Sequence, residues 1–134
     1  MTDLARSVAS YTGAGFAPDQ RMTDDTAACI VIGEGIHAML PTHAKWATFT
    51  AKPVADTHRV SAPMLDFDLP DRAAVDALMA RVLAAGGVEP RPAEDHGFMY
   101  SRAFENPDGH VWEPFLFDTA TLEHPGSAAQ PGTP

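Results

Sequence analysis

The chain is short of cysteine, of basic residues and of long apolar runs, and each shortage removes a class of function. A single cysteine, Cys29, excludes an intramolecular disulfide. It lies in the run Ala27-Ala28-Cys29-Ile30-Val31-Ile32 with no basic neighbour to lower its pKa, and reads as a buried strand thiol rather than a nucleophile. Nine Lys and Arg against 18 Asp and Glu leave a formal net charge of −9. Nucleic acid is not an expected partner, because it calls for a basic footprint. The acidic balance suits a cationic small ligand, and equally suits plain solubility. No apolar run approaches the roughly 20 residues needed to cross a bilayer, so a membrane is not expected either. The N-terminus carries Asp3 and Arg6 early and no apolar leader segment, and the cytoplasm is the expected compartment. There is no phosphate-binding glycine loop, no CxxC pair and no Ser/His/Asp arrangement with a supporting motif.

What is present is a chain of 134 residues, 45% apolar, enough for one domain or two small fused modules around one core. Leu4, Val8 and Tyr11 form one apolar stripe at helical spacing, so residues 3–12 are predicted helical, capped by Thr2 or Asp3 and ended by Gly13 and Gly15. A short strand is expected over 16–21. Residues 27–32 read as a buried strand, Gly33-Glu34-Gly35 as a turn, and 36–40 as a second strand closed by Pro41. Residues 42–61 are polar and irregular, with Trp46 and Phe49 as the large apolar anchors of a connection or lid. A strand is expected over 62–69. The strongest helix covers 71–85, with Val75, Leu78, Met79 and Val82 on one face and Gly86-Gly87 after it. Residues 88–91 suggest a further short strand. Residues 119–134 hold three prolines and few apolar residues, and are expected to form a disordered tail.

The richest stretch runs from Phe98 to Phe117. It reads as strand, turn, strand, with Asn106-Pro107-Asp108-Gly109 suited to a type I turn. Glu113 stands in the middle of the second strand among apolar neighbours, where a charge is costly unless paired. The two helix-opening aspartates, Asp3 and Asp71, lie 68 residues apart. Each half runs aspartate, amphipathic helix, glycines, short strand, hairpin, as in a duplicated unit. The second half has a strand before its helix; in the first half the chain begins at the helix.

Three pieces together resemble the vicinal oxygen chelate superfamily, which includes glyoxalase I, bleomycin-resistance proteins, fosfomycin-resistance proteins and extradiol dioxygenases. They are Asp3-Leu4-Ala5-Arg6-Ser7 with Tyr11 and Gly15-Phe16; the strand from Ala28 to Ile32; and Asn106-Pro107-Asp108-Gly109-His110-Val111-Trp112-Glu113. The segment Asp95-His96-Gly97-Phe98-Met99-Tyr100 is similar to the lactoylglutathione-lyase-like branch. The resemblance implies an α+β fold of paired βαβββ modules forming a cup-shaped mixed sheet, in a homodimer. A truncated first module would span 1–42, a linker or lid 43–61, and a second module 62–118, with the first strand of the first module missing. The superfamily's enzymes hold a divalent metal (Zn, Ni, Mn or Fe) in the cup, and Glu113 falls on one ligand position. The other positions fall near Met64 and Leu40. That leaves one ligand where a metal site needs about three or four, so a metal-free cup is an equal expectation.

Strand alternation groups Val111, Glu113 and Phe115 on one face and His110, Trp112 and Pro114 on the other, so His110 cannot join Glu113 on a metal. Glu113 reads as metal ligand and proton carrier, or as a carboxylate satisfied by hydrogen bonds or an arginine. Asp66 reads as a cup carboxylate beside Glu113 or as a solvated strand residue, and Asp68 as a helix cap. Tyr100 and Arg102 share a face, either as a polar wall for a ligand or with Arg102 pairing Glu113. His96 reads as an acid/base group or as a turn-stabilising side chain. Trp46 and Phe49 would close over an apolar ligand or merely pack on the core. His37, His43, His58 and His124 are lone histidines scattered in sequence and are not expected as metal ligands, and His37, opposite Ile36, Ala38 and Leu40, reads as solvent-facing. Two functions compete: a cup that binds a small molecule, with a degenerate metal site, and a divalent-metal-dependent lyase, isomerase or dioxygenase built on Glu113.

Overall fold

The computed structural model describes residues 1–122. The first half comprises helix α1 (Leu4–Gly13), strand β1 (Ala17–Pro18), a 3-10 turn (Gln20–Met22), β2 (Ala27–Gly33) and β3 (Ile36–Pro41). The connection carries one short helix, α2 (His43–Trp46). The second half comprises β4 (Leu65–Asp68), α3 (Arg72–Ala84), β5 (Glu94–Asp95), β6 (Met99–Ser101), β7 (Phe104–Glu105) and β8 (Val111–Phe117), followed by α4 (Thr119–Leu122). The expected tail therefore opens with one helical turn; the rest of it, with His124, lies outside the described residues. Among the described residues no helix is long and apolar enough to cross a membrane.

Both long helices begin as the sequence predicts. Asp3 accepts from the Arg6 N–H at 2.9 Å and Asp71 from the Ala74 N–H at 2.8 Å, each satisfying an orphan donor of the first turn. The four apolar residues picked on α3 are all buried. On α1, Tyr11 is buried, Leu4 and Val8 pack partly against the core, and Ser7 is fully buried. Its hydroxyl is satisfied by Asp108 at 3.0 Å.

The strands form two sheets. In the first, β2 lies between β1 and β3, all antiparallel. In the second, the order is β4-β8-β6-β5, with β4 parallel to β8 and β7 also on β8. The predicted strand over 62–69 is shorter, and that over 88–91 reduces to one bridge between Val88 and Glu105. The predicted strand ahead of the turn is broken at Arg102 and Ala103, although its register on β8 continues from Ser101↔Phe115 to Phe104↔Trp112. Pro114 causes the break: the Arg102 N–H donates to its carbonyl at 3.2 Å, and proline has no N–H to return.

One core serves both halves. Tyr11 of α1 and Ala14 just after it, Ile30 and Leu40 of the first sheet, Met79 of α3, and Trp112 of β8 belong to a single buried cluster. The helices meet closely at Gly13, where an added Cβ would stand 2.6 Å from the Ala85 Cβ. The Tyr11 hydroxyl accepts from Trp112 Nε1 at 2.9 Å and Asn106 Nδ2 at 3.1 Å, tying α1 to the hairpin. The Gly109 N–H closes the predicted turn on the Asn106 carbonyl at 2.9 Å. Gly109 has φ +86, and a Cβ there would meet the His58 backbone; the turn is thus a seat for the connection as well as a reversal.

Candidate functional site

The parallel register of β4 on β8 sets Asp66 beside Glu113 and Phe67 beside Pro114. The pleat then separates two chemistries. Phe67 turns toward the helices, 6.0 Å from the Trp112 ring centre. Asp66 and Asp68 stand exposed on the other face.

Between β3 and β4 lies a cavity of about 600 Å³. Tyr11, Leu40, Phe67 and Trp112 form its apolar floor, and His37, Met39, Asp66 and Asp68 stand along its open side. His110 also borders it. Its pKa is lowered, chiefly because burial penalises the imidazolium, with Asp108 opposing that shift. Asp66 and Asp68 are the acidic side chains that border the cavity, and Met1, whose ammonium donates to the Pro41 carbonyl, lies at its margin. Among the described residues no lysine or arginine lines it.

Several predicted site residues lie elsewhere. Glu113 does not line the cavity: Arg91 Nη2 donates to its Oε2 at 2.7 Å and Arg91 Nη1 to Glu94 at 2.6 Å. The expectation that an arginine satisfies Glu113 holds, but with Arg91 in place of Arg102. Arg102 sits opposite Pro114 and faces α3, so the pleat keeps it from Glu113. It donates instead to Glu89 at 2.7 and 2.8 Å and to Asp76 at 3.0 Å. Tyr100 joins it by donating to Asp76 at 2.7 Å. The Tyr100 hydrogen bond, then Arg102, hold the Asp76 carboxyl below its usual range, burial acting the other way. Tyr100 and Arg102 come together in a helix-to-sheet network with Asp76 and Glu89, at the margin of a second cavity also bordered by Arg91.

His96 lies in an exposed loop, 3.4 Å from Glu94 and stacked on Phe98, away from the cavity. Trp46 and Phe49 pack edge-to-face on each other at 6.2 Å, remain exposed, and do not border the cavity. Asp68 is not the cap of α3, a role Asp71 fills. Sequence reading missed Tyr11, Phe67 and Trp112 as cavity residues, because apolar residues at core spacing carry no mark that one flank of them faces a void.

The donor set does not fit a divalent metal. Among the described residues no three His, Cys, Asp or Glu side chains are grouped to hold one. Glu113, the ligand the resemblance implies, is engaged by Arg91.

Solved structures place this architecture. A glyoxalase-related enzyme from Fulvimarina pelagi superposes with a TM-score of 0.73 at 24% identity, over 87% of this chain and 81% of that one. The chain has the vicinal oxygen chelate fold. A glyoxalase/bleomycin resistance/dioxygenase family enzyme from Burkholderia phytofirmans shares this fold with a TM-score of 0.70 at 17% identity, over 87% and 92% of the two chains. The fosfomycin resistance protein FosX of Mesorhizobium loti shares it with a TM-score of 0.65 at 19% identity, over 91% and 90%. No family model and no curated protein matches the chain. Within the vicinal oxygen chelate fold, β4, α3 and the strands after it form one βαβββ unit, and α1 to β3 form its counterpart, with no strand among the described residues paired on the outer edge of β3.

Proposed function

We propose that this protein binds a small cationic molecule with an apolar body in the cavity between β3 and β4, without a metal. The observation that supports this is the cavity's division into an aromatic floor and an open side carrying Asp66 and Asp68, with no lysine or arginine among the described residues that line it. Apolar pockets with a few placed polar groups are the usual form of small-molecule sites. Two carboxylates beside a low-polarity floor favour a cation and penalise an anion. The neighbours include proteins named for glyoxalase, bleomycin resistance and dioxygenase families. A metal-dependent lyase, isomerase or dioxygenase would need donors beyond a Glu113 already held by Arg91. A homodimer belongs to the same reading, supported by the exposed apolar side chains Trp46, Phe49, Val54 and Val60 on the connection; sedimentation velocity tests it.

The test is fluorescence of Trp112 in a Trp46→Phe variant, which leaves one tryptophan. Aromatic amines such as phenethylamine are titrated beside carboxylates of the same body. The amines are expected to perturb the emission saturably, and Asp66→Asn to weaken them about tenfold. Equal binding of the carboxylates, or no binding of either, would sink the reading. Elemental analysis after incubation with Zn²⁺, Ni²⁺, Mn²⁺ and Fe²⁺ is expected to find no stoichiometric metal; metal lost on Glu113→Ala would favour the enzyme reading.

A further inference from the structure

The Arg91 side chain spans a strand. Its Nη1 donates to Glu94 on β5 and its Nη2 to Glu113 on β8, and β6 runs between those two strands. Register fixes what lies under the bridge. Ser101 is opposite Glu94 on one side and Phe115 on the other, and the pairing that resumes at Phe104↔Trp112 sets Ala103 opposite Glu113. Opposed residues share a sheet face, as do residues two apart on one strand. Glu94, Ser101, Ala103 and Glu113 therefore stand on one face. It is the face turned away from α3, because Tyr100 and Arg102 at the alternate positions bond Asp76 on that helix. Ser101 and Ala103 are both fully buried. Two small side chains thus form a floor between two carboxylates, and the Arg91 guanidinium lies across it.

The Ser101 hydroxyl marks this floor as more than packing. Its Oγ is buried with no hydrogen-bond partner among the described residues, although a planar fork of N–H donors crosses the strand beside it. Buried hydroxyls are normally paired. Arg91 is tethered: Pro90 and Pro92 flank it and restrict its backbone. From there its guanidinium satisfies Glu94 and Glu113 and leaves the Ser101 acceptor unused. A free guanidinium offers the same fork without the tether and can meet all three.

We infer that Glu94, Ser101 and Glu113 form a site for a small molecule with a guanidinium or amidinium head, closed by the chain's own Arg91. The ligand replaces Arg91 in the two charge-assisted bonds and adds the Ser101 hydroxyl as a third acceptor. A planar fork suits carboxylates rooted two strand spacings, about 10 Å, apart; an ammonium is a point charge and bridges them less well. Arg91 competes as an intramolecular ligand at an effective concentration on the order of millimolar or more, so the site opens only to a head that binds better than its plug. It shares no residue with the cavity between β3 and β4, and either site can fail without the other.

The probe is ethylguanidinium, titrated beside propylammonium into the isotope-labelled full chain, parent and Arg91→Ala, each checked for native circular dichroism. The reading is the amide shifts of Glu94, Ser101 and Glu113. In Arg91→Ala, ethylguanidinium is expected to move them saturably, and about tenfold more tightly than propylammonium. The parent is expected to need about tenfold more ethylguanidinium for the same response, because Arg91 must be displaced. Adding Glu113→Gln to Arg91→Ala is expected to abolish the response, and adding Ser101→Ala to weaken it a few fold. Should Arg91→Ala not fold, Arg91→Gln takes its place, and the parent supplies the comparison of the two cations in any case. Equal responses to the two cations would overturn the inference. So would equal affinity in the parent and the Arg91 variant, shifts confined to other residues, or an affinity untouched by Ser101→Ala.

Discussion

Arg91 and Glu113 meet at 2.7 Å across 22 residues of sequence, with 30% and 18% of their side chains exposed. The strand carboxylate that looks most like a functional group is thus half of an ion pair. Glu113 lies between Asp66 on one neighbouring strand and, by register, Ala103 on the other. Without Arg91, Glu113 would lose the guanidinium that pairs it while Asp66 stands beside it in register. A double-mutant cycle of Arg91→Ala and Glu113→Ala, read by urea unfolding, is expected to give a coupling of about 1 kcal/mol. Zero coupling would free Glu113 for another role.

Tyr11 is expected to matter through its oxygen. Tyr11→Phe leaves Trp112 Nε1 and Asn106 Nδ2 without their shared acceptor. A loss of about 1–3 kcal/mol is expected from stranding buried donors, seen as a lower urea midpoint with unchanged m. An unchanged midpoint would mean that other acceptors replace the hydroxyl.

Ser101 points the other way. Its Oγ is buried and has no hydrogen-bond partner among the described residues, a position that penalises a hydroxyl. Ser101→Ala is expected to be neutral or to stabilise by up to about 1 kcal/mol. Clear destabilisation in thermal melts would show that the hydroxyl is satisfied in solution.

His110 makes stability depend on pH. Its pKa is lowered in the folded state, first by burial, so between that value and the ordinary value of about 6.5 the unfolded chain binds the extra proton. Stability should therefore be fully present above about pH 6.5 and decline as pH falls through the lowered pKa. Asp108 holds its own carboxyl below the usual range through hydrogen bonds from Thr2 and Ser7, against the opposing effect of burial, and so acts at lower pH. Urea midpoints between pH 7.5 and 5.5 are expected to fall in the parent chain and to stay flatter in His110→Gln. Parallel curves would place the titration elsewhere.

Fluorescence of the Trp46→Phe variant carries the prediction closest to function. Phenethylamine is expected to perturb Trp112, and a carboxylate of similar size is not, because Asp66 and Asp68 border the cavity with no lysine or arginine beside them. Equal responses would remove the charge argument.

The elements were legible because their signals are local. Aspartate before an apolar 3.6-residue stripe is a helix start, and Asp3 and Asp71 both act as one. Asn106-Pro107-Asp108-Gly109 is a turn by its own chemistry. The α+β architecture and its two-unit plan follow from those pieces. Pro114 could have foretold the break at Arg102, since a proline in a paired strand withholds one bond from its neighbour.

The candidate site was legible only in part. The resemblance implies a cup shared by Asp66 and Glu113, and the parallel register pairs these two residues across β4 and β8. Which arginine meets Glu113 was beyond reach: Arg91 and Arg102 are both near in sequence, and only the pleat, which turns Arg102 toward Asp76 on α3, decides between them. The cavity is a property of two strand edges from opposite halves of the chain. Periodicity reports which face of a strand is buried; it carries no information about what lies beside the strand. The sequence alone therefore determined the helices, the turn and the acidic character of the protein. Tertiary structure alone decided that, among the described residues, the outer edge of β3 stands across from that of β4, because sheet edges are set by long-range pairing rather than by any residue's neighbours.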